Sequence, residues 1–104
     1  MVLIWLSPAK ESLKEITDYY KKEYSERAAR KIVRQIKTAV MKLKDFPEMA
    51  AVEFLLEDEP LIYRSLVVTS TYKVVYYIGS DVIYVYDIWD CRQSPETNKR
   101  KSKK

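Results

Sequence analysis

From residue 63 to residue 92 the chain runs through three stretches of Val, Ile, Tyr and Thr, broken at Thr69-Ser70-Thr71 and at Gly79-Ser80-Asp81. β-Branched and aromatic runs with small polar breaks predict an antiparallel meander. Upstream the period lengthens. Ala9, Leu13, Ile16 and Tyr20 recur at helical spacing behind Ser7-Pro8, a helix-opening pair. Ala29, Ile32, Val33, Ile36, Val40 and Leu43 form a second stripe, with Ser25 as its predicted N-cap and no Gly or Pro before Pro47. Residues 2–6, VLIWL, predict a short strand too apolar for an open surface. The reading is an α+β fold in the order β-α-α-β-β-β, a helical hairpin packed on one face of a small, mostly antiparallel sheet. Residues 46–60 are predicted as a crossing loop with a short strand near 52–56.

Alternation within the meander decides which side chains share a face. An even loop centred on Ser70-Thr71 sets 64 opposite 77, and a two-residue Gly79-Ser80 turn of type II′ sets 77 opposite 82. One face then carries Arg64, Leu66, Val68, Lys73, Val75, Tyr77, Tyr84, Tyr86 and, by extrapolation, Arg92. The other carries Tyr72, Val74, Tyr76, Ile78, Ile83 and Val85, fit for a core. Three cations and three tyrosines are thereby expected in one shallow hollow. Asp87 and Asp90 are candidates to pair with Arg92.

Composition narrows the chemistry. At 104 residues, 33% charged and 47% hydrophobic, the chain reads as one soluble domain, residues 1–95, with a basic tail, residues 96–104, expected to be disordered. It has no histidine, one cysteine (Cys91) and one glycine. Histidine-based triads, cysteine-rich metal clusters and phosphate-cradling glycine loops are excluded, and no cofactor or metal is expected. The longest early apolar run is too short for a membrane span or signal peptide, which points to the cytoplasm. The net charge of +4 sits in the tail, where Lys99, Arg100, Lys101, Lys103 and Lys104 leave the body at 14 basic against 15 acidic residues, −1. The back of the second helix is basic (Arg27, Arg30, Lys31, Arg34, Lys37, Lys42, Lys44), a solvated face or a landing strip for an acidic partner or nucleic acid. Arg64, Lys73 and Arg92 beside tyrosines suit phosphate recognition, with guanidinium forks, a point charge and stacking rings. Strand-borne Lys, Arg and Tyr equally serve edge protection and strand formation.

The ordered set SPAKESLKEITDYY, SERAARKIVRQI, LKDFP, YRSLVV, YKVVYYI and IYVYDIWDCRQSP resembles the RelE/ParE superfamily of bacterial type II toxin–antitoxin toxins over about residues 2–95. The resemblance implies a small toxin held inactive by a cognate antitoxin that lies along its helices or sheet; Leu55, Leu56 and Trp89 are candidate anchors. RelE-like members cleave mRNA on the ribosome with basic sheet residues and a C-terminal tyrosine; by that resemblance Arg64, Lys73 and Arg92 are the catalytic candidates of a metal-independent endoribonuclease. ParE-like members are associated with DNA gyrase. Leu66 stands where a second lysine is expected, and near Asn98 there is no tyrosine. Both departures favour a ParE-like inhibitor whose cations bind a target rather than cleave RNA.

Overall fold

The computed structural model describes residues 1–102, without the side chains of residues 100 and 101. The chain runs β1 (Val2–Trp5), α1 (Ser7–Glu23), α2 (Glu26–Lys42), β2 (Ala51–Val52), a 3-10 turn (Phe54–Leu56), β3 (Tyr63–Val67), β4 (Tyr72–Ile78), β5 (Val82–Asp90) and α3 (Pro95–Ser102). The sheet order is β1-β5-β4-β3-β2, with β1 parallel to β5 and the remaining pairs antiparallel. The α+β architecture and the helical hairpin on one sheet face agree with the periodicity of the sequence. No described helix is long and apolar enough to cross a membrane.

Each helix buries the stripe its spacing predicts. Ile32, Ile36 and Val40 of α2 and Ala9 and Ile16 of α1 pack on Tyr72, Val74, Val85 and Ile88 of the sheet. Leu13 and Tyr20 are only half-buried; Ser12 takes a fully buried place on α1 instead. Ser25 caps α2, its hydroxyl accepting from the Ala28 N–H at 3.0 Å, which satisfies one of the orphan donors at a helix start. Ser7 lies inside α1 rather than capping it, and the half-in residue Leu6 has no side chain able to accept.

Two local irregularities set the faces of the sheet differently from a regular meander. The β3–β4 connection has three residues, not an even number: Val68 N–H donates to Tyr72 O at 3.0 Å, and Thr69 Oγ1 accepts from the Thr71 and Tyr72 N–H groups, both at 3.1 Å. A side-chain-capped odd loop shifts the register by one, so Tyr63 pairs Tyr77, Ser65 pairs Val75 and Val67 pairs Lys73. Residue 64 therefore turns to the helix side. In β5 a bulge opposite Val75 and Tyr76 skips Tyr86, so Asp87 pairs Val75 while Val85 pairs Tyr76. Beyond it the alternation reverses: Ile88 packs under the helices and Trp89 packs on the outer side with Leu56 and Val75.

The β4–β5 turn is centred on Ser80 and Asp81, not Gly79-Ser80, since Gly79 N–H donates to Val82 O at 2.7 Å. Asp81 supplies the left-handed residue, φ 59°, a conformation its short polar side chain tolerates. The register moves by two, which preserves alternation. α3 (Pro95–Ser102) lies on the outer face and takes in residues 96–102 of the tail expected to be disordered; Lys103 and Lys104 lie outside the described residues. α3 is held by Trp89 Nε1 donating to Ser102 Oγ (2.8 Å) and by Asn98 Nδ2 donating to Asp90 O (3.0 Å).

Candidate functional site

The three cations do not meet. Arg64, on the helix side of β3, donates from Nη1 to Ala50 O at 2.8 Å and ties down the loop after α2. Lys73, on the outer side of β4, forms an ion pair and hydrogen bond with Glu53 and lies 5.3 Å from the centre of the Trp89 ring. Both side chains are sheltered, 19% and 7% exposed, so the lysine charge is spent locally. Arg92 sits past the end of β5 on the helix side, its guanidinium forking onto Asp90 at 3.1 and 2.9 Å. That hydrogen bond, more than charge attraction, pushes its already high pKa further up and keeps it protonated. It stands exposed at the mouth of a small cleft lined by Glu15, Tyr19, Tyr72 and Ile88. Tyr76, the partner of Arg64, and Tyr72, the partner of Asp90, are four residues apart, roughly 13 Å along the strand. The odd loop and the bulge thus overturn the expected hollow: Arg64 and Arg92 lie on one side of the sheet and Lys73 on the other.

Asp87 does not pair with Arg92. It is wholly buried and accepts from Ser12 Oγ (2.5 Å), from its neighbour's Ile88 N–H (2.7 Å) and from Ser102 Oγ. One carboxylate thereby joins α1, β5 and α3, a role that sequence spacing could not signal because its partners lie 75 and 15 residues away. Leu56 and Trp89, candidate anchors for a partner, are buried at 1% and 0% exposure and are unavailable to one; Leu55 is half-buried. Cys91 is exposed and free.

The tyrosines do gather. Tyr77, Tyr84 and Tyr86 share the outer face as alternation predicts, and the shifted register adds Tyr63. Ring centres are 4.9 Å apart for Tyr86–Tyr63, 5.3 Å for Tyr63–Tyr77 and 4.9 Å for Tyr77–Tyr84, the last pair stacked. Burial, with Asp87 and Glu59 nearby, pushes the Tyr86 hydroxyl pKa up. Burial likewise raises Tyr72 and Tyr76 on the helix side, Tyr72 with a further contribution from Tyr20.

On the far side of the molecule, α1 and α2 enclose an open groove of about 1000 Å³. Its floor includes Trp5, Leu13, Ala29 and Val33, and its rim carries Lys10, Lys14, Lys21, Arg30, Arg34 and Lys37 against Asp18. An apolar floor under a basic rim fits an acidic amphipathic segment. The spacing of α2 hinted at the rim, but only the crossing of the helices makes the floor.

Residues 3–95 match the profile of the family described as ParE toxin of type II toxin-antitoxin system, parDE. Nine chains of solved structures are similar. One of them, described as a chromosomal ParDE TA system from P. aeruginosa, superposes with a TM-score of 0.73 at 22% identity, over 86% of this chain and 95% of that one. At that identity the likeness shows a shared fold. No curated protein matches the sequence.

Proposed function

The chain belongs to the ParE toxin family of type II toxin–antitoxin systems, and on that premise we propose that it arrests growth by binding DNA gyrase rather than by cutting mRNA. The observation carrying this reading is the separation of Arg64, Lys73 and Arg92. Metal-independent RNA cleavage needs cations converging on one phosphate to stabilise the phosphorane charge. Here Lys73 is committed to Glu53, Arg64 to Ala50 O and Arg92 to Asp90, on two sides of the sheet. Arg92 is the member of the set left exposed enough to touch a target.

A toxin of this kind is neutralised by a cognate antitoxin. The groove between α1 and α2 supports an acidic, amphipathic antitoxin segment whose apolar side chains reach Leu13 and Val33 while its carboxylates meet Arg30, Arg34 and Lys37. Arg34→Glu with Lys37→Glu is expected to weaken antitoxin binding at least tenfold.

The deciding experiment induces the chain alone and follows DNA and protein synthesis side by side. Filamentation, a DNA-damage response and early loss of DNA synthesis are expected, with inhibition of supercoiling by purified gyrase. Loss of amino-acid incorporation first, relieved by Arg64→Ala or Arg92→Ala, would favour ribosome-dependent mRNA cleavage and overturn the proposal.

A further inference from the structure

α2 carries a charge that neither the fold nor the apolar floor of the groove accounts for. From Arg27 to Lys44 the chain holds seven Lys or Arg and no Asp or Glu. Arg27, Lys31, Arg34, Thr38 and Lys42 recur at helical spacing and form one exposed crest opposite the buried stripe of Ala29, Ile32, Ile36 and Val40. Arg30 and Lys37 flank the crest on the side of α1. Arg30 reaches Glu26 at 3.9 Å, both side chains being mostly exposed. Arg27, Lys31, Arg34, Lys37 and Lys42 hold no ion pair among the described residues.

The hollows on either side of the crest keep the same sign. Asp18 is the one acid lining the groove toward α1, and a second hollow of about 420 Å³ toward β3, between Arg34, Lys42, Met49 and Leu66, has none. Like charges one turn apart, as in Arg27–Lys31, Arg30–Arg34 and Arg34–Lys37, destabilise a helix, so the fold gains nothing from this arrangement. The chemistry of the crest narrows what it could meet. α2 has no aromatic residue, and the exposed Met41 in its last turn is the one large apolar side chain beside the crest. Protein interfaces centre on apolar or aromatic anchors where charge is depleted. Single-stranded nucleic acid needs rings on which its bases stack. A line of cations without either suits the regular phosphates of a duplex.

We infer that the crest of α2 binds the phosphate backbone of duplex DNA. Arg27 and Lys42 stand about 22 Å apart along the helix axis at a rise of roughly 1.5 Å per residue. A duplex presents roughly thirteen phosphates over that length. The guanidinium groups can fork onto phosphate oxygens, and the lysines add point charges. Contacts of this class set position and read no sequence. That the duplex is DNA rests on the gyrase reading, since such a target works on DNA; the crest itself does not depend on it. A toxin bound in this way holds the duplex as well as the enzyme acting on it. Arg30, Arg34 and Lys37 also border the helical groove, so an acidic segment seated there draws charge away from the DNA.

Fluorescence anisotropy of the purified chain with a dye-labelled twenty-base-pair DNA duplex tests this without gyrase. At about 50 mM salt a Kd on the order of 1 μM is expected, with log K falling against log salt at a slope of about −4, as four to five neutralised phosphates require. Arg27→Gln/Lys31→Gln/Arg34→Gln should weaken binding at least twentyfold and flatten the slope by about two to three. Glutamine keeps the helix propensity of these exposed positions, which circular dichroism checks. Lys101→Gln/Lys103→Gln/Lys104→Gln removes as much charge from the tail and should stay within threefold. An RNA duplex of the same length is expected to bind no tighter. A twenty-nucleotide oligothymidylate and a twenty-residue glutamate peptide should each bind at least fivefold more weakly. Tighter RNA binding, or equal binding of the single strand or the peptide, overturns the inference. So does a folded crest variant that binds like the wild type, or a tail variant that loses as much as the crest variant. A chain that inhibits gyrase supercoiling without binding the duplex sinks this inference alone. Duplex binding by a chain that leaves supercoiling untouched sinks the gyrase reading and leaves the crest standing.

Discussion

Lys73→Met is the substitution that best separates a structural from a catalytic lysine. The Lys73 and Glu53 side chains are 19% and 7% exposed, and Glu53 also accepts weakly from Leu55 N–H at 3.5 Å in the 3-10 turn. Methionine keeps the stem volume and removes the charge, which leaves the Glu53 carboxylate buried without its cation. Breaking a buried pair from one side costs roughly 3–5 kcal/mol, and the residual water access of Lys73 brings the expected loss to about 2–4 kcal/mol. For a domain of this length each kcal/mol moves the melting temperature by about 4–8 °C, so a drop of roughly 8–32 °C is expected. Glu53→Gln should destabilise by a similar amount, because it strands the ammonium over Trp89. The double variant Lys73→Met/Glu53→Gln should recover about 2 kcal/mol relative to the sum of the singles. Urea and thermal melts followed by circular dichroism measure all four proteins. A Lys73→Met loss below about 1 kcal/mol, or strictly additive singles, would refute the assignment of Lys73 to the fold.

A chain ending at Ser94 loses the Ser102 bonds to Asp87 and Trp89; stability should fall by about 3 kcal/mol, and in a Trp5→Phe background the Trp89 emission should shift to the red. Unchanged emission would show that α3 does not cover Trp89. Burial favours the neutral phenols of Tyr72, Tyr76 and Tyr86 over their ordinary value of 10.0. That stability is present in full below about pH 10 and is lost as pH rises through the raised values. Absorbance at alkaline pH should therefore show the phenols of Tyr72, Tyr76 and Tyr86 ionising only as the chain unfolds. Ser25→Ala should cost about 1 kcal/mol through the lost bond to Ala28 N–H, read by urea melts; no change would mean that water replaces the cap.

The element order, both helical stripes and the Ser25 cap were legible in the one-dimensional pattern, because apolar periodicity and local capping depend on neighbours within one or two turns. The outer placement of Tyr77, Tyr84 and Tyr86 was legible for the same reason: a turn displaced by two residues leaves alternation intact. The cationic hollow was not legible. Its existence depended on parity, and parity was set by the hydroxyl of Thr69 closing an odd loop and by one extra residue, Tyr86, accommodated in β5. Neither leaves a mark on hydropathy, yet each turns a strand's side chains over. α3 was invisible for a related reason. Residues 95–102 have almost no apolar content of their own, and their order comes from a buried carboxylate and an indole supplied by β5. Sequence alone therefore determined which segments form and what each must bury; tertiary structure decided which charges meet, since register and long-range polar bonds exist only once the layers have closed.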